Sequence, residues 1–589
     1  MATLYLKAAG GNWTDAAAWS STGSGGVDNA GPPTSADDCI AEAGSGNLTI
    51  SATSVGKSFS ATAGTGNWAG TLTHNGFSWT LSGSLTFSSE MTFTPNANST
   101  FTITSAATIT SAGKTFRSIT VSAAITLGDN LSFDANAKNY SFILAAASSL
   151  NMNGFTVSGN STTNRVLICS NNMGVSRTIT LNGGTFANAD FRDIQFSNAT
   201  DLDLSAITGL SGDCGGNTIT GGGTVLTFTS PTTQTYTGGA GNWSTVGSWT
   251  SRVPLPQDNV SMSGCTGGSI VADMPRLGKD IDWTGATGTP TWTINSIATE
   301  VYGSVTLISG MTLTHTSVTF VLAGRGNHTI TSAGKTWASS SSGAFSIQAF
   351  GGTYTLQDAF IKGAATGALA LTNGTFDMNG FNVTVAGSVG FGSTSSAART
   401  LYMRSGTFTV SGSSGSPWNV VSSLTLDAGT STILLTDTGA SSKTFVTGGK
   451  TYYNLLISGG GAGAVIINTG GATFNRIYTD GAGTKSITLP GSATTTLLSG
   501  QGLANGTNVI TFTASAGSAT VSKASGTLSW DYVNLTNIPS TGGAAFYAGT
   551  HSTDGGGNTG WIFTAPPATG TRTNLGRVAP NSISIGIGI

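Results

Sequence analysis

Ile109-Thr110-Ser111-Ala112-Gly113-Lys114-Thr115-Phe116 returns as Ile330-Thr331-Ser332-Ala333-Gly334-Lys335-Thr336-Trp337, and more loosely as Thr447-Gly448-Gly449-Lys450-Thr451-Tyr452. Each copy breaks at small residues and glycine, which take turn conformations that β-branched residues resist. A second phrase, Asn151-Met152-Asn153-Gly154-Phe155-Thr156-Val157, returns as Asp377-Met378-Asn379-Gly380-Phe381-Asn382-Val383. Phrases that recur in one order point to a repeat architecture, in which each unit buries its apolar face only against its neighbours.

Larger signatures frame these phrases. Gly11-Asn12-Trp13 is followed by Trp19, Pro32, Pro33, Asp37 and Asp38. Gly241-Asn242-Trp243 is followed by Trp249, Pro254, Pro256 and Asp258. Near the far end of each half, Ser211-Gly212-Asp213-Cys214-Gly215-Gly216-Asn217-Thr218 resembles Ser552-Thr553-Asp554-Gly555-Gly556-Gly557-Asn558-Thr559. The chain therefore reads as two tandem units, roughly 1–230 and 235–565, followed by a tail.

Short runs such as Ser118-Ile119-Thr120-Val121 and Phe381-Asn382-Val383-Thr384-Val385 alternate or carry β-branched residues, and no long stripe of helix formers is present. An all-β chain is expected. Short strands, dense Gly/Asn turns and recurring phrases favour tandem parallel β-helix (β-solenoid) units. A string of antiparallel β-sandwiches is the alternative. The expected divisions are a Trp-containing β cap at 1–45, a first solenoid at 46–230, a second Trp-containing cap at 235–280 and a second solenoid at 281–565. Residues 566–589 would be a Pro-bracketed linker and docking strand. About 450 residues in coils of roughly 22 would give about 20 rungs, a rod near 100 Å long at about 4.8 Å per rung.

Composition narrows the function. Charged residues make up 8%, Gly numbers 85 and the net charge is −2. Recurrent Phe, Trp, Tyr, Val and Ile argue for a buried core rather than disorder. Nucleic-acid binding, which needs a basic patch, is not expected. No apolar run reaches the length of a membrane span, and the N-terminus lacks the basic and apolar regions of a signal peptide. The four cysteines, Cys39, Cys169, Cys214 and Cys265, show no CxxC spacing and are expected to be free buried thiols.

Catalytic signals are sparse. The close carboxylates are Asp37/Asp38, Asp201/Asp203 and Asp280/Asp282; the latter two could pair on a strand face, but neither gathers the set of Arg, His and aromatic residues of a sugar-cleaving site. His74, His315, His328 and His551 are isolated. Gly481-Ala482-Gly483-Thr484-Lys485-Ser486 lacks the features of a phosphate loop. Asp213…Asn217 and Asp554…Asn558 supply too few ligands for Ca²⁺ and read as turn closures. No catalytic residue, metal or cofactor is assigned. Trp13, Trp19, Trp243 and Trp249 are candidates for glycan contact, although small cap cores are the simpler use. Ile583, Ile585, Ile587 and Ile589 alternate along the tail as a docking or oligomerisation strand.

The Gly-Asn-Trp…Trp…Pro…Asp opening, the Gly-Lys-Thr-aromatic and Asp-Met-Asn-Gly-Phe phrases and the Asp554-Gly-Gly-Gly-Asn-Thr-Gly-Trp561 ending resemble β-helical repeat proteins of phage virions and large bacterial surface adhesins. The resemblance implies a surface role and carries no catalytic residues across. Without an export signal, a virion protein assembled in the host cytoplasm is expected: a tail fibre or capsid-decorating β-rod. A tailspike-type polysaccharide depolymerase and a bacterial cell-surface adhesin are the alternatives. Expected partners are other virion proteins of the capsid or tail, host surface glycans, and copies of itself, a trimer first.

Overall fold

In the strand Ser78–Leu81, Trp79 and Leu81 are buried while Ser78 and Thr80 are not. Successive strand residues point to opposite faces, so this alternation buries one side. The computed structural model describes residues 2–567, apart from 135–138, 341, 364–365, 388–389, 413–414, 437–438, 460 and 462. Within them such strands pair parallel and in register, coil upon coil. Trp79 stacks on Phe101, then Ile119, Phe142, Ile168 and Phe191, all buried. Each such burial is worth about 1.5–3 kcal/mol, and it exists only because the next coil covers it.

The described chain is all-β, with three short 3-10 turns and no α-helix. Its parallel sheets form about 22 turns of β-solenoid. Among the described residues, antiparallel pairing is confined to Thr3–Leu6 with Trp19–Ser20 and the bridge Tyr236–Trp249. The sandwich alternative is thereby excluded.

The recurring phrases are corners of the coils. Ala112-Gly113, Ala333-Gly334 and Gly448-Gly449 each place two successive residues at positive φ, as do Asn153-Gly154 and Asn379-Gly380. Two left-handed residues in a row turn the chain tightly. The lysine of each Gly-Lys-Thr phrase ties the corner to an earlier coil. Lys114, Lys335 and Lys450 donate to the carbonyls of Ser89, Ser309 and Ser422 at 2.9, 2.7 and 2.5 Å. From the following coil, Asp129 and Asp358 accept from the N–H groups of Ser111 and Ser332, both at 2.7 Å.

Two cores divide the chain, one running from Leu4 to Leu204 and the other from Tyr236 to Trp561. The Trp-bearing segments expected as caps are the first coils of these solenoids. Thr3–Leu6 pairs parallel with Asp38–Ile40 and shares its sheet with the later coils, and Thr233–Gly238 opens the corresponding sheet of the second solenoid.

The solenoids meet at a buried joint. Asp190 accepts from Arg165 at 2.7 Å and from Arg276 at 2.5 Å; the carboxylate and the Arg165 side chain are fully buried and Arg276 is 3% exposed. Two steps along, Arg192 pairs with Glu300 at 3.3 Å, and Asp193 pairs with Arg325 at 2.6 Å. Arg276, Glu300 and Arg325 lie on three successive coils of the second solenoid. One strand of the first solenoid thus advances along the axis of the second, so the axes cross. Gln257 closes the joint, donating to the carbonyls of Ser211 and Thr229 and accepting from the N–H of Asp213. The coils do not add into the single straight rod expected from their number. They form two arms fixed at an elbow.

Burial alone would raise the pKa of Asp190, but the two guanidiniums outweigh it and hold the carboxyl below its usual range. Its contribution is present above about pH 4 and is lost only as the pH falls through the lower folded value. Asp190→Ala, which strands two buried guanidiniums, is expected to cost about 3–5 kcal/mol in chemical denaturation. A loss below about 1 kcal/mol would mean that water reaches the joint. At the corners, Gly334→Ala meets open space at φ +73° and should cost only backbone strain, about 1–2 kcal/mol. Gly374→Ala, at nearly the same φ, would place a Cβ 1.8 Å from the Ala349 carbonyl oxygen and should cost clearly more. Equal costs in the same denaturation assay would contradict the coil packing.

Candidate functional site

Trp13, Trp19 and Trp243 are fully buried and Trp249 is 5% exposed. Stacking on a sugar needs a free ring face, so the glycan role considered for these four is corrected: they build the core of each first coil. The two pairs are constructed alike. The Trp19 indole donates to the Trp13 carbonyl at 2.9 Å and Trp249 to Trp243 at 2.7 Å, with ring centroids 5.2 and 4.9 Å apart. Ile583, Ile585, Ile587 and Ile589 lie outside the described residues.

The close carboxylates serve turns and neighbouring coils. Asp37 accepts from Thr34 and the Ala2 N–H, and Asp38 from Lys57 and Ser58. Asp201 holds the N–H groups of Thr224 and Val225, while Asp203 holds Ser205. Asp280 accepts from the Ser304 N–H and Asp282 from that of Thr284. The two closing signatures are the same turn. Asp213 accepts from Gly215 N–H and the Asn217 amide, Asp554 from Gly556 N–H and the Asn558 amide, at 2.6–2.9 Å. Among the described residues no three His, Cys, Asp or Glu side chains gather as a metal-binding group, and no helix is long and apolar enough to cross a membrane. All four cysteines are free and buried.

The histidines reveal a repeat missed in the sequence. Thr71–His74 and Thr312–His315 are both Thr-Leu-Thr-His strands ending in a buried ring. The His74 ring hydrogen-bonds the Phe77 carbonyl at 2.7 Å and the His315 ring the Val318 carbonyl at 2.8 Å. Burial pushes the His315 pKa down to about 4. Lys362 is fully buried in an inward column beside Val385, and burial pushes its pKa down to about 8. These groups sit inside the coils.

An accessible arrangement appears on the second arm. Asn327–Thr331, Ala344–Leu356, Leu369–Asp377, Arg399–Tyr402 and Leu424–Asp427 contribute to one face. Asn327, Thr353, Thr375, Thr400 and Thr425 form one outward column, and Thr329, Thr355, Asp377, Tyr402 and Asp427 the next. The face stops at Leu424–Asp427, which is in register with Arg399–Tyr402 and, among the described residues, with no later strand. Beyond it the coil narrows and leaves a step. A recess of about 390 Å³ occupies the step, lined by Leu426, Asp427, Thr451, Tyr453, Asn475 and Leu498. Tyr453 is 36% exposed and Leu498 54%. Where the same strands begin lies a second recess of about 360 Å³, lined by Phe350, Asn373, Thr375, Arg399, Thr400 and Thr425. Phe350, 39% exposed, reaches the elbow, with the Arg325 guanidinium 5.4 Å above its ring.

The charges on this face are largely matched. Arg404 grips Asp377 with two hydrogen bonds of 3.1 and 2.7 Å and stands 4.5 Å over the Tyr402 ring. Burial would raise the pKa of Asp377, but Arg404 and the Asn379 N–H outweigh it and hold it low. Asp427 is exposed and accepts from the Gly429 N–H at 3.0 Å. Hydroxyls, an amide, a carboxylate and partly open tyrosine rings thus share one surface. None was singled out from the sequence, although Thr375, Thr400 and Thr425 recur at every twenty-fifth position, one coil apart.

No family model, no curated protein and no solved structure matches the chain.

The buried His315 ring gives a pH test. An unfolded chain protonates this ring near pH 6.5, the folded chain only near pH 4. Stability from the neutral ring is whole above pH 6.5 and is lost as the pH falls from 6.5 to 4, by about 3 kcal/mol. Denaturation midpoints across that window should flatten in His315→Gln relative to the parent; parallel curves would contradict the assignment.

Proposed function

We propose that the chain is a structural surface protein of a phage virion, presenting two stiff β-solenoid arms for adhesion to a host surface or for decorating capsid or tail. The observation that carries this reading is the construction of the arms. A continuous inward stack and in-register hydrogen bonds make each arm resist bending, while outward columns of Thr, Ser and Asn leave a neutral, hydroxyl-rich exterior. Such columns include Thr80–Thr102–Thr120 on the first arm and Thr353–Thr375–Thr400–Thr425 on the second. Repeated weak contacts along such a surface add through multivalency.

Four free buried thiols suit assembly in a reducing cytoplasm, where virion proteins are made. The repeated Gly-Asn-Trp and Asp-x-Gly-Gly-Asn signatures, each built the same way in both arms, support the β-helical surface-repeat likeness. Copies assemble with one another, as a trimer, and with capsid or tail proteins.

Antibody labelling of purified particles in the electron microscope, with mass spectrometry of their proteins, tests the address. The chain should be found in the particle and labelled on its exterior. Its absence from particles, or its location on a bacterial cell wall, would overturn the virion reading.

A further inference from the structure

We propose that the face running from Phe350 to Tyr453 on the second arm is a binding site for a neutral oligosaccharide chain. The inference rests on the adhesive reading above and gives it a site. Three features of the surface converge on it.

The first is shape. The two recesses, about 390 and 360 Å³, lie at the two ends of the same short strands, and the Thr375–Thr400–Thr425 column lines the second of them. Each falls within the range of small-ligand sites, roughly 300–1,000 Å³. A chain of sugar rings, rather than one compact ligand, spans both.

The second is chemistry. A pyranose offers C–H faces and a rim of hydroxyls. Tyr453 is an open aromatic ring, Tyr402 is partly open in the outward column with Arg404 over one face, and Phe350, 39% exposed, adds an apolar edge beneath Arg325. Aromatic side chains pair an apolar face with, in tyrosine, a polar tip. The hydroxyls of Thr375, Thr400 and Thr425, the Asn475 amide and the Asp427 carboxylate supply donors and acceptors for the rim.

The third is charge. Asp377 is matched by Arg404, and Asp427 adds one negative group. Arg399, at the second recess, donates to hydroxyls and carbonyls and offsets that charge, so the face carries no net charge and suits a neutral ligand.

The same geometry takes Asp377 out of the role of a glycosidase acid. Asp377 and Asp427 stand in one column with a coil between them, about 10 Å apart along the axis. Glycoside hydrolysis needs one such carboxyl protonated to serve the leaving oxygen. Asp377 is clamped by a guanidinium that favours its ionised form, so it does not serve as that acid.

Affinity electrophoresis of the full chain in gels containing dextran, mannan, galactan or a soluble β-glucan, with heparin as the anionic control, tests the proposal. At least one neutral polysaccharide should retard the parent. Tyr453→Ala and Tyr402→Ala should each weaken that retardation at least tenfold with an unchanged circular dichroism spectrum. Thr102→Ala, on the first arm, should leave it as it was. Retardation by none of the neutral polymers, by heparin alone, or equally in parent and tyrosine variants overturns the proposal. So does capture of an extended peptide on the open edge of Leu424–Asp427 in place of sugar. These outcomes are separable from the particle test: a chain present on virions that binds no neutral polysaccharide refutes the site alone. A chain that binds but is absent from virions refutes the address alone.

Discussion

The cover that each coil gives the one before it is the constraint on which everything else depends. An inward side chain such as Ile119 has Phe101 on one side and Phe142 on the other, at the same register position. Removing water from it requires both neighbours, so stability accumulates along the axis rather than around one centre. This explains why a chain with 8% charged residues and 85 glycines can order long solenoids. The glycines bend the corners, and the low charge lets like residues sit in register without repulsion. Where neighbours are polar they satisfy each other across coils, as the Asn182 amide does with Asn151 at 2.9 Å and Asn475 with Asn454 at 3.2 Å.

The elbow follows from the same constraint at its limit. The last coils of the first arm and the first coils of the second present faces that could not be left wet beside buried Cys214 and Ala323. They cross, and the crossing is fixed by charge. One carboxylate shared between two guanidiniums is satisfied in a single geometry, whereas an apolar joint of similar area could slide. Arg192, Glu300, Asp193 and Arg325 extend the pattern over three coils, and Tyr302 joins it by hydrogen-bonding Glu300. The angle between the arms is thus set by a few residues far apart in the chain.

Much of the fold was legible in the sequence. The Ser-Ala-Gly-Lys-Thr and Met-Asn-Gly-Phe phrases are local, their φ preferences are local, and both proved to be the coil corners. The paired Gly-Asn-Trp and Asp-x-Gly-Gly-Asn signatures likewise marked the start and finish of each arm. The elbow could not be read, because Asp190 and Arg276 are 86 residues apart and nothing in either neighbourhood announces the other. The candidate face was missed for a related reason. Tyr402, Asp427 and Tyr453 become neighbours only once the coil length is known, and each alone resembles many outward residues. The tryptophans misled in the opposite direction: their chemistry suits sugar stacking, but their partners are carbonyls and rings of their own coil and of the coils that follow.

Two parallel-stranded β-solenoids cross at a fixed elbow. Small-angle X-ray scattering on the full chain in solution tests it most directly. Two short arms predict a distance distribution with a shoulder from inter-arm vectors and a maximum dimension well short of the straight stack. A rod-like distribution, with its long linear tail reaching beyond about 100 Å as 22 collinear turns at about 4.8 Å would require, would contradict it.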